Sequence, residues 1–401
     1  MRVTHYNNKA KPTRSVLVFL LVLFTVWLSR TVFFGNVYFN ITRLARYVLI
    51  AISVLTIPIS VSKSKAVIQK MLPIMLAFGC NFLTCYSLMN RTNINAVFGA
   101  VLTMLCSAIT VIQIEKETFA KIYIRIIFAY AVISLPCYFV QINFPDVAQS
   151  LCQPGYDWTS GVGYSFFHTW GRNGTIYPRN AGPFWEPGGY QCFLNIAILL
   201  LLYNVDHNGI GHRKLVLGIL CLTVLTTKST AGYIVFAIIL ITQNGRIVNT
   251  LFQRSVPKQY LLITIFIALI IISLVLLPTA HTKISDEDNE SMIMREADVA
   301  DGMTMVLKAG PFGLGETNQR NQLRYALELY RDDSAGLVNL TYTYGWLMGF
   351  VYLLLLGKIP EDVFGCRSIG EKFVVFVILF ILHMTQGLWS LPLFWCLLFF
   401  Y

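Results

Sequence analysis

The chain has 401 residues, 56% of them hydrophobic and only 13% charged, where soluble domains carry about 25% charged residues. The apolar residues fall in long blocks, which excludes an ordinary soluble domain and points to an integral membrane protein. The formal net charge is +11, but most Lys and Arg sit in short turns between apolar runs, the positive-inside pattern of membrane topology, so no nucleic-acid partner is expected.

Spans need about 20 apolar residues. The first is predicted over 15–34, behind Arg2, Lys9, Lys11 and Arg14; no small-residue cleavage site follows, so it reads as a retained signal anchor. Further spans are predicted at 47–62, 71–89, 95–114 and 122–142, with Lys63, Lys65 and Lys70 in one turn and a charged turn at 115–121. A long loop covers 143–188, and the sixth span covers 189–205. Two short spans divide 214–242 at Lys228-Ser229-Thr230, and a strongly apolar span covers 260–277. A second long loop covers 278–334 before spans at 335–356, 373–384 and 388–401.

The fold class expected is therefore an all-α, multi-pass membrane protein of about twelve transmembrane helices. An even number of spans puts both termini and every short basic turn on one side, which the positive-inside rule makes cytoplasmic. Both long loops then face the extracytoplasmic side. No internal repeat is present, which weighs against a secondary transporter.

The nine cysteines show no CxxC or Cys/His metal spacing. Cys152 and Cys192 bracket the first loop and are candidates for a disulfide if it faces an oxidising compartment.

The loops carry Arg172 and Arg179, then Arg295, Lys308, Arg320, Arg324 and Arg331, the second set mixed with many carboxylates. Arginine recognises phosphate oxygens with a planar, bidentate fork, and aromatic faces stack on sugar rings. Trp158, Phe166, Phe167, Trp170 and Trp185 suit that role or a membrane-interface belt. Pro311-Phe312-Gly313-Leu314-Gly315 is either a plain turn or one that cradles phosphate with backbone N–H groups. Asp286-Glu287-Asp288 reads as a solvated acidic run, and no metal is called for. His168 and His383 lie on the outer side; a lone histidine at a helix end is most often structural. Glu186 directly precedes Pro187-Gly188-Gly189 at the mouth of the sixth span. There a carboxylate is favoured by the helix dipole, or acts as a general base or sugar-hydroxyl acceptor.

Arg179-Asn180-Ala181-Gly182-Pro183-Phe184-Trp185-Glu186-Pro187-Gly188 resembles the R-x-x-G-x-F-x-E-P-G motif of bacterial O-antigen and capsule repeat-unit polymerases (Wzy type). Other pieces follow in the family's order. Thr226 to Tyr233 resembles the T-x-S-x-x-G-Y hairpin; Arg295 and Asp298 with Pro311 to Gly315 resemble R-x-x-D…P-x-G-x-G; Tyr344 to Gly349 resembles Y-G-x-x-G. The likeness covers about 177–349. Related O-antigen ligases carry a His-Asn pair where this chain has Ala335-Gly336, which argues against a ligase.

The resemblance implies a GT-C-like helical bundle in the bacterial inner membrane. Its activity is a metal-independent glycosyltransferase without cofactors, which joins repeat units carried on undecaprenyl diphosphate. Donor and acceptor are both lipid-linked glycans, in the bilayer, with a chain-length regulator as a possible partner. Arg179 and Arg295 would stabilise the departing diphosphate, and Glu186 would activate or orient the acceptor hydroxyl. Arg172, Arg320 and Arg324 are further phosphate candidates, with Trp185, Asp298 and His168 as substrate contacts. A ligase acting on lipid A core and a polysaccharide flippase remain the alternatives.

Overall fold

The computed structural model describes residues 12–29, 31, 48, 61–89, 94–150, 171–172, 175–176, 179–203, 209–247, 290–315, 323–324, 326–327 and 335–401. These form 14 helices, counting one 3-10 turn, and a two-residue antiparallel ladder. In chain order the helices are α1 Pro12–Trp27, α2 Val61–Met89, α3 Ile94–Gln113, α4 Lys116–Asn143 and α5 Pro145–Ser150. The ladder pairs β1 Gly171–Arg172 with β2 Thr175–Ile176. Then come α6 Pro187–Tyr203, α7 Arg213–Thr226, α8 Thr230–Thr242, α9 Glu290–Ala309, α10 Gly336–Tyr344, α11 Trp346–Asp362 and α12 Ile369–Thr385. A 3-10 turn at Leu388–Ser390 and α13 Pro392–Phe399 complete the described fold.

The bundle is built around α6. Residues Pro187 to Leu202 are all buried, so this helix presents an apolar surface on every side. It packs against α4, α7 and α8. Two of its internal polar side chains bond each other: Asn195 Nδ2 donates to Gln191 O and Gln191 Oε1, each at 3.0 Å, while Asn195 Oδ1 is buried without a partner among the described residues. Gly232 of α8 has no Cβ, and one placed there would lie 2.8 Å from Gln191 Cγ. The small residue lets the two helices approach closely.

The outside of the bundle is apolar too. Leu83, Phe139, Phe350 and Phe373 are each more than 60% exposed. Two helices, Lys63–Cys85 and Lys116–Asn143, are long and apolar enough to cross a membrane.

Charged side chains gather at one end. Lys70 Nζ lies 2.7 Å from Asp362 Oδ2 and also donates to the Phe400 carbonyl. Lys116 Nζ donates to Asp362 O at 2.8 Å. Arg246 pairs with Glu371 at 2.9 Å and lies over the Tyr203 ring. Lys372 pairs with Glu361 at 2.5 Å. These groups mark the first turns of α4 and α12 and the last of α6 and α11. The Arg179–Glu186 loop meets the opposite end of α6, beside the turn that follows α12. The 17 residues of α12 alone separate the two ends by about 25 Å.

Several predicted boundaries move. The helix of α2 begins at Val61, so Lys63, Lys65 and Lys70 lie inside it rather than in a turn; lysine is a good helix former. The helix of α1 stops at Trp27, and Thr31 instead bridges Phe184. The second predicted loop contains the 20-residue α9. The single span predicted at 335–356 is two helices, broken at Gly345, whose φ is 95°. The last apolar stretch is a 3-10 turn and an eight-residue helix. Cys192 is a free, buried thiol that donates to Gly188 O at 3.3 Å, and Cys152 lies outside the described residues. The spans predicted at 47–62 and 260–277 also lie outside them, apart from residue 48 and residues 61–62, which begin α2.

Candidate functional site

The loop that precedes α6 is tied down before it reaches the helix. Asn180 is buried, and its Nδ2 donates to Thr226 Oγ1 at 2.9 Å and to Ser134 Oγ at 3.2 Å. Its Oδ1 accepts from Gly182 N at 2.9 Å, an Asx turn that reverses the chain. Gly182 sits at φ 52°, where a Cβ would also fall 2.6 Å from the Tyr190 ring. Only glycine meets both demands. Phe184 is then driven into the core, stacked on Phe193 at 4.1 Å and Tyr190 at 5.3 Å.

Arg179 leaves this anchored loop toward the α7–α8 hairpin. Its Nε donates to Thr227 O at 3.2 Å. Thr227 closes the C-terminal end of α7, where the helix dipole favours a cation. The next residue, Lys228, has a left-handed backbone at φ 49°, a geometry that costs a non-glycine residue about 1 kcal/mol or more. Burial, and then the Arg179 charge, hold the Lys228 ammonium below its ordinary range. It has no carboxylate partner among the described residues. Arg179 from the loop and Lys228 on this strained turn thus bring two cations together. Ser229 holds the hairpin by capping α8, its Oγ accepting from Gly232 N.

Glu186 lies at the other end of the same loop. It is half-buried, and its carboxylate accepts no hydrogen bond from a described residue. Its backbone carbonyl accepts from Gly189 N and Tyr190 N, starting α6. A Cβ placed on Gly188 would lie 3.2 Å from Glu186 Oε1 and 2.7 Å from Gln386 Nε2. The turn after α12 thus runs across the mouth of α6. It also crosses the start of α10, where a Cβ on Gly336 would fall 2.0 Å from Gln386 O. Trp185 covers Gly189, whose Cβ would meet its ring at 2.6 Å. That face of the indole is used in packing.

The second-loop candidates are only partly gathered here. Arg324 is buried, on a short turn with Leu323 and Leu327 that packs on Met305, Leu314, Ala335, Val338 and Tyr342. The same cluster holds Met384, two residues from Gln386. Arg295 and Asp298 lie one turn apart on α9, and Arg172 lies on β1; for these three the description is of backbone alone. His168 and Arg320 lie outside the described residues. The glycine turn at Pro311–Gly315 packs against the end of α10. Leu314 N donates to Tyr342 O at 3.0 Å and Gly315 N to Thr343 O at 2.7 Å, so both amides are occupied. Asn81 of α2 holds this turn from the other side, donating to Phe312 O and Thr343 O.

His383 is a core histidine. It is buried, its Nδ1 is 2.7 Å from Leu379 O, and its ring meets Phe394 and Tyr352 edge-on.

Three residues here escaped the sequence-based selection of site residues: Asn180, Lys228 and Gln386. The first two lay inside recognised motifs at positions read as variable. Gln386 carried a weak signal, a lone amide between an apolar helix and a glycine. No protein-family model matches the chain, and neither does any curated protein or solved structure.

Proposed function

We propose that the chain polymerises oligosaccharide repeat units carried on undecaprenyl diphosphate, at the outer face of a bacterial inner membrane. On this reading it is a multi-pass protein of about twelve spans with cytoplasmic termini and a GT-C-like bundle. The apolar exterior and the charged groups paired at one end support the topology. The observation that carries the function is the 3.2 Å contact of Arg179 with Thr227. It joins the R…E-P-G loop to the T-x-S hairpin, two stretches far apart in the sequence, and sets Arg179 beside Lys228.

The chemistry follows from these positions. A hydroxyl of the acceptor unit attacks the anomeric carbon of the donor chain. Its proton passes to Glu186 or through it to solvent. The C–O bond to the diphosphate breaks, and the electron pair leaves with the phosphate oxygen. Arg179 and Lys228 stabilise that charge as it builds. Arg295 and Arg324 are the second-loop arginines proposed to complete the clamp, with Arg172 and Arg320 behind them. Trp185, Asp298 and His168 are assigned to the glycan.

Gly336 speaks against the ligase alternative, because the space a side chain would need there is filled by the Gln386 carbonyl. Arg125, the main mid-span cation, is exposed on α4, whereas a flippase calls for several charged or polar groups within its spans.

The test is genetic. Deleting the chain should leave surface glycan of a single repeat unit, and the wild-type chain should restore the long ladder. A deletion strain that keeps full-length glycan would exclude the function.

A further inference from the structure

Gln386 lies in the extended turn between α12 and the Leu388–Ser390 turn, with backbone angles of φ −148° and ψ 146°. Its residue is only 7% exposed. Yet the side chain makes no hydrogen bond to a described residue. It is aimed instead at the first turn of α6, where its Nε2 and Glu186 Oε1 converge on the point that a Gly188 Cβ would occupy.

The two groups are complementary. The carboxylate only accepts hydrogen bonds; the amide Nε2 only donates. A sugar hydroxyl does both. Placed between them it would donate to Glu186 and accept from Gln386, which satisfies both protein groups and aims an oxygen lone pair outward. Two glycines hold this arrangement open. Gly188, without a side chain, lets the amide and the carboxylate both approach the first turn of α6, and Gly336 lets the Gln386 backbone press against α10.

We infer that Gln386 and Glu186 together grip one hydroxyl of the acceptor glycan, with Gln386 the positioning donor that presents that oxygen for attack. This rests on the polymerase reading. It adds a specificity element to that reading: the acceptor must carry a free hydroxyl on its terminal sugar that fits between an amide and a carboxylate.

The test uses the full chain, purified in detergent. Lipid-linked repeat units extracted from a deletion strain serve as donor. The same unit released by mild acid serves as an acceptor-only probe, since it carries no diphosphate. Gln386→Met keeps the side-chain bulk and removes the donor. It should raise KM for the free oligosaccharide about three- to tenfold, the loss expected for one hydrogen bond, with the KM for lipid-linked donor unchanged. Gly188→Ala, whose methyl would push the Gln386 amide out of place, should raise the same KM. If Gln386→Met fails to insert, Gln386→Asn is read in its place. Variants indistinguishable from wild type overturn the inference and leave the polymerase reading standing. Equal losses toward donor and acceptor overturn it too, because they mark a structural role. A wild-type protein that transfers to neither probe overturns the polymerase reading itself, and this inference with it.

Discussion

Asn180 and Thr226 are bonded twice. The Asn180 amide side chain donates to Thr226 Oγ1 at 2.9 Å, and the Asn180 backbone N–H donates to the Thr226 carbonyl at 3.1 Å. This double link fixes the loop before α6 to the end of α7. The neighbouring contact, Arg179 with Thr227, repeats it one residue along on each side. Asn180 therefore positions the arginine without needing to touch a substrate.

Asn180→Ala should remove the side-chain half of the link and take one donor each from the hydroxyls of Ser134 and Thr226, which keep their bonds to Ala131, Tyr190 and Thr223. Two lost hydrogen bonds cost about 1–3 kcal/mol together. The expected result is a clear fall in thermal midpoint in detergent, together with loss of polymer. Unchanged melting would show that the link carries little.

Arg179→Ala should abolish long chains while the protein still inserts. Removing one preorganised group that stabilises developing negative charge lowers turnover by about 10²–10³. Arg179→Lys keeps the charge but loses the planar fork, so its turnover should fall between the two. The glycan ladder, scored beside the amount of inserted protein, distinguishes these cases.

The Lys228 ammonium predicts a pH effect with a definite sign. Burial, then Arg179, lowers its pKa below the ordinary lysine value of 10.5. The folded chain therefore binds fewer protons there than the unfolded chain as pH rises through the lowered value. Stability rises with pH across that window. At neutral pH the charged lysine works against the fold. Lys228→Met should then melt above the wild type at pH 7, with the gap narrowing as pH approaches 10.5. Inorganic pyrophosphate should raise the wild-type midpoint more than that of the variant. A gap independent of pH would contradict the assignment.

Glycine positions give a control that needs no ligand. Gly336→Ala places a methyl against the Gln386 carbonyl, a backbone atom that cannot swing away. It should displace the turn and impair transfer although it touches no proposed catalytic group. Gly218→Ala and Gly370→Ala meet nothing within 4 Å and should remain within about 0.5 kcal/mol of wild type. Loss of transfer in all three would point to a general weakness of the bundle.

Sequence reading located the hairpin helices α7 and α8 to within a residue or two, because hydropathy and the Lys228-Ser229-Thr230 break agree there. It also singled out Arg179 and Glu186, since their motif is contiguous. It missed what depends on distant parts of the chain. The helix of α9 was hidden because its charges mask one buried stripe: Met305 is 1% exposed, whereas Leu307 is 72% exposed. The break at Gly345 was invisible to hydropathy, since both flanks are apolar; Pro311 O approaches there, 2.2 Å from where a Cβ would stand. Gln386 gained meaning only from Gly188 and Gly336, which no local pattern connects to it. Arg324 was picked for its charge, and its burial on the Ala335 cluster could not be read from a loop of mixed charge.

The most direct measurement of the central claim is chain length in a purified system. The full chain is mixed with extracted lipid-linked repeat units and no other enzyme, and the products are resolved by size. The account predicts a ladder of glycans longer than one unit from the wild type and none from Arg179→Ala at equal protein. A wild-type reaction that yields only single units, or an Arg179→Ala reaction that yields the same ladder, would contradict it.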